Sequence, residues 1–478
     1  MENKDLRSLY KNISPLDHRY YLANRELFEK LSLYLSEEAT VKYLLQVEEA
    51  LVLTHLSIKG LLTPELEKTV KEATKKVDPS DVYLEEEKTQ HNIRALVNVY
   101  MRYLPEDIRP YVHLGATSVD IMDTAAALRY RDVTREVLLP LLIEVEERLI
   151  EIAEKEAETA QVGRTHGQHA VPITFGFAIA EYVSRLGKSI KKISELVSDL
   201  RGKFAGAVGA YNATSVLVKD PIELEKKIMD RLALLPSDHS TQLVEPEHLL
   251  RLLLEYNIAF GIIANLADDL RHLQRTEIGE VREYFSSTQV GSSTMPHKRN
   301  PWNSEHVKSL WKAFAPRVMT FFTDQISEHQ RDLSNSASGR FITDYLAGFA
   351  AACARMNKIL KGLSVERDRM QANLTMGGDF VLAEAAYILL ARSGIWEGHE
   401  IIRKLTLESE KTGKRLVELL KEDKELWSKL ARALAETTGD NPELFFSEPW
   451  RYRGKATDKA ISLANLYKKE MQNIKESL

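Results

Sequence analysis

Residues 179–200 read IAEYVSRLGKSIKKISELVSDL, and Ile179, Val183, Leu186, Ile190, Ile193, Val197 and Leu200 recur there in alternating steps of four and three. Such spacing puts one apolar stripe along a helix, so the stretch predicts one seam of a helix bundle. Residues 249–273 are apolar nearly all round, broken only by Arg251, Glu255, Asn257, Asn265, Asp268, Asp269, Arg271 and His272. That composition predicts a helix buried on several sides. Between residues 124 and 160 the only turn signal is Pro140, and Leu142, Val145, Leu149 and Ile152 keep helical spacing beyond it. One kinked helix is expected, on the order of 50 Å long at ~1.5 Å per residue.

Strand signals are scarce, the best being residues 215–219 after the loop Ala205-Gly206-Ala207-Val208-Gly209. The proline-bounded stretch 105–110 and the Gly377-Gly378 turn mark soft boundaries. The expectation is an all-α protein of three domains: an N-terminal helical domain (1–112), a central long-helix bundle (113–370) and a C-terminal helical domain (371–478).

With 478 residues, 44% of them hydrophobic, the chain can bury more than one core. Its 65 basic and 70 acidic residues give a formal charge of −5, which favours neither nucleic acid nor an acidic membrane as partner. Any anion site must be built locally. The single cysteine, Cys353, lies in the apolar run 348–354, so disulfides or a cysteine-based zinc cluster within the chain are excluded. The opening MENKDLRSLYKN lacks the apolar core of a signal peptide, and no uninterrupted apolar run reaches ~18 residues. A soluble, cytoplasmic protein is expected.

Three segments carry candidate chemistry. In Gly291-Ser292-Ser293-Thr294-Met295-Pro296-His297-Lys298-Arg299-Asn300-Pro301, two prolines and a glycine forbid a regular helix. A loop dense in hydroxyls, an ammonium and an amide suits an anionic substrate, although a solvated connection is its plain alternative. In Gly163-Arg164-Thr165-His166-Gly167-Gln168-His169, the plain reading is a structural histidine near a helix start, yet two histidines, a threonine and a glutamine between glycines are costly to pack. In His113-Leu114-Gly115-Ala116-Thr117-Ser118-Val119-Asp120, Thr117 or Ser118 is expected to cap the following helix, whose free amides can also bind a carboxylate.

The first of these segments resembles the signature of the fumarase/aspartase superfamily, whose members release fumarate or a close relative from a succinyl-type substrate. Its His-Lys-Arg-Asn-Pro ending is similar both to the adenylosuccinate lyase family and to the carboxymuconate cycloisomerases. Two further stretches resemble the former: Ser14-Pro15-Leu16-Asp17-His18-Arg19-Tyr20 and Arg331-Asp332-Leu333-Ser334-Asn335-Ser336-Ala337-Ser338-Gly339-Arg340. Smaller echoes are Gln90-His91-Asn92, Thr241-Gln242 and Tyr452-Arg453-Gly454-Lys455-Ala456, so the resemblance spans residues 14–456. The family carries His-Asp where this chain has His91-Asn92, and Arg-Asp after Thr-Gln where this chain has Glu245-Pro246-Glu247 nearby.

The resemblance implies a carbon–nitrogen lyase that splits a succinylated purine nucleotide without a metal or cofactor. It implies Ser292 as base, His166 as proton donor, Lys298 and Asn300 as carbanion stabilisers, and Glu305 as partner of His166. Substrate binding is assigned to Arg19, Tyr20, His91, His113, Thr117, Ser118, Thr165, Gln242, Ser293, Arg331, Ser336 and Arg340. Arginine suits phosphate because its planar fork donates two parallel hydrogen bonds. The bundle is expected to form the core of a homotetramer whose sites draw on three subunits. The alternatives are another fumarate-releasing lyase or a cycloisomerase of the superfamily, for which Arg19 and Arg340 together have no use, and a catalytically silent helical oligomer.

Overall fold

The computed structural model describes residues 9–285, 294, 295, 297–332 and 334–478, so Ser292 and Ser293 lie outside the described residues. Helices account for most of the chain. The elements that position the candidate site are α1 (Arg19–Ala23), α2 (Glu37–Ile58), α3 (Asn92–Arg102), α4 (Ser118–Val133), α5 (Leu139–Lys155), a hairpin of β1 (Ala160–Thr165) and β2 (Gln168–Thr174), α6 (Phe175–Val197), α7 (Glu247–Leu273), α8 (Trp302–Phe314), α9 (Ile342–Lys361), α10 (Arg367–Met376) and α11 (Ala456–Ser477).

The seam read from residues 179–200 is real: Ile179, Val183, Leu186, Ile190, Ile193 and Val197 are all buried on α6. They face α5, α7 and α11. Helix α7 packs against α6, α8 and α9, which accounts for its broadly apolar surface. By length and composition α7 could cross a membrane, and 56% of its most apolar window is buried inside the bundle.

Helix α4 runs into α5 through a π turn at Thr134–Leu138. Pro140 supplies no N–H and its ring crowds the carbonyl four residues earlier, so the turn widens while the rod continues. Residues 118–155 thus form one helical run of ~55 Å at ~1.5 Å per residue. Tyr256 ties α7 to that turn, its hydroxyl donating to Thr134 Oγ1 at 2.7 Å.

The strand expected at 215–219 is absent. A short helix, Asn212–Ser215, runs into a turn there, and Val216 is 85% exposed. Val-Leu-Val has strand propensity but no neighbouring strand to pair with. The hairpin at 160–174 was not anticipated; its register runs from Ala160 opposite Thr174 to Thr165 opposite Gln168.

One continuous core takes in α2, α3 and the bundle helices α4 to α9. A second, smaller core gathers Val381, Leu390, Leu416, Leu430 and Phe446. Helix α11, the end of the expected 371–478 domain, returns to the bundle and packs on α5 and α6.

Candidate active site

The candidate residues fall into three groups, and the first is built on the start of α4. Thr117 takes the N-cap position, and its N–H donates to Asp120 Oδ2 at 2.8 Å. The other Asp120 oxygen receives the Lys203 ammonium and the Gly206 N–H, the latter at 3.2 Å. Both charged side chains are fully buried. That pair pins residues 203–206 beneath the helix start.

Beside it, His113 holds a left-handed backbone (φ 56°), and Glu48 on α2 fixes it twice. The carboxylate accepts the His113 N–H at 3.0 Å and contacts Nδ1 at 2.6 Å. If Nδ1 is the donor, Nε2 is left for a ligand. His91 caps α3 with Nδ1 accepting the Arg94 N–H at 3.3 Å, and Asn92 reaches Met122 Sδ on α4 at 3.9 Å. Asn92 therefore makes a neutral contact where the family carries an acid.

The loop holding Gln242 joins this end through two bonds. Val244 N–H donates to Asp123 Oδ2 at 3.0 Å, and Gln242 N–H donates to Gln330 O at 3.3 Å. The second bond brings Arg331 alongside. Its guanidinium is half-buried, and burial lowers its pKa against the opposing charges of Asp123, Asp332 and Asp324. Ser336 and Arg340 are exposed at the two ends of the short helix Ser336–Arg340. Glu245, one of the departures from the family pattern, accepts from the Ser237 hydroxyl at 2.8 Å, and Pro246 opens α7.

The second group surrounds the exit of the signature loop. Lys298 is exposed and Asn300 half-buried. The following helix, α8, is anchored by Glu283, whose carboxylate accepts from Asn303 N–H (3.2 Å), Asn303 Nδ2 (2.8 Å), Ser304 N–H (2.8 Å) and the Ser304 hydroxyl (2.6 Å). A carboxylate at a helix N-terminus satisfies free amides and complements the helix dipole. Glu305 stands exposed on the first turn of α8. Tyr20 stacks on His306 with ring centroids 5.7 Å apart, which sets Arg19 and Tyr20 beside the same turn. Arg355 on α9 donates to Asn303 Oδ1 at 2.9 Å, and burial together with that guanidinium lowers the His306 pKa.

The third group is the hairpin. His166 is not near a helix start, as the sequence suggested, but at a hairpin tip, where His166 and Gly167 both take positive φ (55° and 75°). That is the backbone of a two-residue primed turn, which glycine adopts freely and histidine adopts at some cost. Thr165 and His166 are exposed, and Gly167 faces Phe380 across a concavity. The hairpin base is rigid because the fully buried Glu280 accepts from Gln161 (2.7 Å), Asn373 (2.8 Å) and both Arg164 Nη atoms (3.1 and 2.5 Å).

Helix α7 starts just after the Gln242 loop and ends at Gln274, whose side chain donates to Arg299 O at 3.4 Å. Its 27 residues therefore hold the Gln242 loop ~40 Å from the exit of the signature loop. The α4–α5 run separates Thr117 from the hairpin in the same way. Sequence reading missed Glu48, Lys203, Glu280 and Glu283. Only Asp120 left a local trace, as the acid three residues after an N-cap threonine.

Residues 19–319 match the family described as Lyase, and residues 327–441 match the one described as Adenylosuccinate lyase C-terminal. The adenylosuccinate lyase of Pyrococcus abyssi is 33% identical over 467 residues, 96% of this chain and 99% of that protein. That of Thermotoga maritima is 30% identical, over 82% of this chain and 89% of its own length. A 3-carboxy-cis,cis-muconate lactonizing enzyme from Pseudomonas putida shares the fold, with a TM-score of 0.77 at 24% identity over 96% of this chain and 100% of that one. On the strength of the whole-length match and the C-terminal match, this chain belongs to the adenylosuccinate lyase family.

Proposed function

We propose that this chain eliminates fumarate from adenylosuccinate, leaving AMP, and acts likewise on the succinylated imidazole-carboxamide ribotide of purine biosynthesis. The observation that carries this reading is the Thr117 end of the molecule. A helix N-terminus, the Gln242 loop and the half-buried Arg331 meet there, a set suited to carboxylate and phosphate oxygens. The relatives named adenylosuccinate lyase support the same substrate.

The reaction needs a weakly acidic C–H proton removed, the carbanion stabilised and the leaving nitrogen protonated. Ser292 takes the proton, while Lys298 and Asn300 hold the carboxylate on which charge develops. A serine is a poor base in water, so this step requires that solvent be excluded around it. His166 gives its proton to the purine nitrogen, and Glu305 keeps that ring oriented. Thr117, Ser118, Thr165, Gln242 and Ser293 bind the succinyl part; Arg19, Tyr20, Arg331, Ser336 and Arg340 take phosphate and succinyl oxygens; His91 and His113 lie along the nucleotide. The scheme uses no metal or cofactor.

The same reading makes the protein a cytoplasmic homotetramer in which each site takes one group from each of three subunits. The ~40 Å between the Gln242 loop and the exit of the signature loop in one chain supports a site shared between subunits, because one small substrate cannot bridge it. The test is ultraviolet monitoring of the purified protein with adenylosuccinate. Release of AMP and fumarate is expected; a folded protein that releases neither would overturn the assignment.

A further inference from the structure

Asp123 lies on α4 one turn beyond Asp120 and carries no role in the chemistry assigned above. It nevertheless relates three elements of the Thr117 end. It stands on the helix that Thr117 caps, it accepts the Val244 N–H of the Gln242 loop at 3.0 Å, and it lies within electrostatic reach of Arg331. A cavity of about 140 Å³ opens beside it, walled by Val244, Leu253, Asn335 and Gly339, so the Arg331–Arg340 segment backs onto the same space. Among the described residues, Asp123 is the charged side chain of α4 that lines this cavity.

We propose that Asp123 is a positioning residue for substrate binding, tying the Gln242 loop to the helix that begins at Thr117–Ser118 and drawing the nearby Arg331 guanidinium toward it. This rests on the proposed lyase function for its consequence, though not for its geometry. The ligand class is the one already assigned to that end, a carboxylate or phosphate. Asp123 does not touch the ligand; it fixes the donors that do.

The surroundings also give the device a pH range. Burial is the main influence on Asp123 and pushes its pKa up to about 6, aided by the neighbouring Asp120 and opposed by the Val244 N–H, Lys203 and Arg331. The other titratable groups facing the cavity are Arg201, Glu245, His248, Asp324 and Tyr130. Above about pH 6 the carboxylate attracts Arg331, and below it that attraction is lost.

The experiment compares D123A and D123N with the unaltered full chain. D123A should raise KM for adenylosuccinate at least ~10-fold while kcat falls less than ~3-fold, the split expected when binding rather than chemistry is disturbed. D123N keeps an acceptor for Val244 but no charge for Arg331, so it should raise KM only ~3-fold and flatten the loss of kcat/KM below about pH 6. Hydrogen exchange in the ligand-free protein gives a readout that needs no activity. Residues 241–244 and 330–340 should both exchange faster in D123A, and 241–244 should stay protected in D123N. Unchanged exchange in D123A would overturn the proposal even if the chain proved to cleave no adenylosuccinate. A KM within twofold of the unaltered chain would overturn it in an active enzyme.

Discussion

At the Thr117 end the candidate binding groups rest on fully buried charge, Asp120 against Lys203 and Glu48 beneath His113, whereas His166, Lys298 and Glu305 stand exposed to solvent. The first end has its supports in place within one chain: Asp120, Glu48 and the Gln330 carbonyl hold the backbone that presents Thr117, His113 and Gln242. The chemical end has a firm base, in Glu280 under the hairpin and Glu283 under α8, but its reactive tips face water. Binding donors can work at a wet surface, because an anion brings its own charge. A serine base cannot, so the proposed chemistry calls for cover over the exposed tips. Under the proposed assembly, neighbouring subunits provide it.

The largest expected effect tests whether the first end depends on its buried charge. Lys203→Met leaves Asp120 buried without its cation and should cost about 3–5 kcal/mol of stability by denaturant titration. A loss under 1 kcal/mol would mean that Asp120 finds water or a proton instead, and the contrast between the two ends would shrink. Next, Ser292→Ala should lower kcat at least ~10²-fold, equivalent to about 2.7 kcal/mol, with substrate binding nearly intact. Survival of kcat within a few-fold would pass the role to Ser293.

Arg340→Ala should weaken AMP binding by ~1.5–3 kcal/mol and change fumarate affinity far less, as read by calorimetry. Equal losses for both ligands would remove phosphate recognition from that residue. The smallest effect sharpens the comparison most directly. The inactive pair Thr117→Ala/Ser118→Ala and His166→Ala, dissociated, mixed in equal amounts and reassembled, should regain roughly a quarter of the sites, because each half comes independently from an intact chain. Mixed tetramers, confirmed by mass, that remain inactive would place both halves of a site in one chain.

The seam of α6, the all-round burial of α7 and the long rod from 118 to 155 were legible because a helix writes its surroundings into a local period. Pro140 was legible as an irregularity in the helix, and the structure shows its form, a π turn before the proline whose Thr134 accepts from Tyr256. The hairpin escaped notice because Gly163 and Pro172 interrupt its strands and His-Gly is a weak turn signal beside Asn-Gly. The apolar triplet at 216–218 misled for the opposite reason, since strand propensity needs a partner strand that the fold does not offer.

By itself the sequence determined the helical class, the candidate residues and the family, since periodicity and motif spacing are properties of neighbours along the chain. Tertiary structure alone decided which candidates share an end of the bundle. It also revealed the supports: Glu48 lies 65 residues from His113, Lys203 lies 83 from Asp120, and Glu280 lies 116 from Arg164. No local pattern encodes such pairs, because an ionised carboxylate taken out of water is stabilised by a partner in space, wherever along the chain that partner comes from.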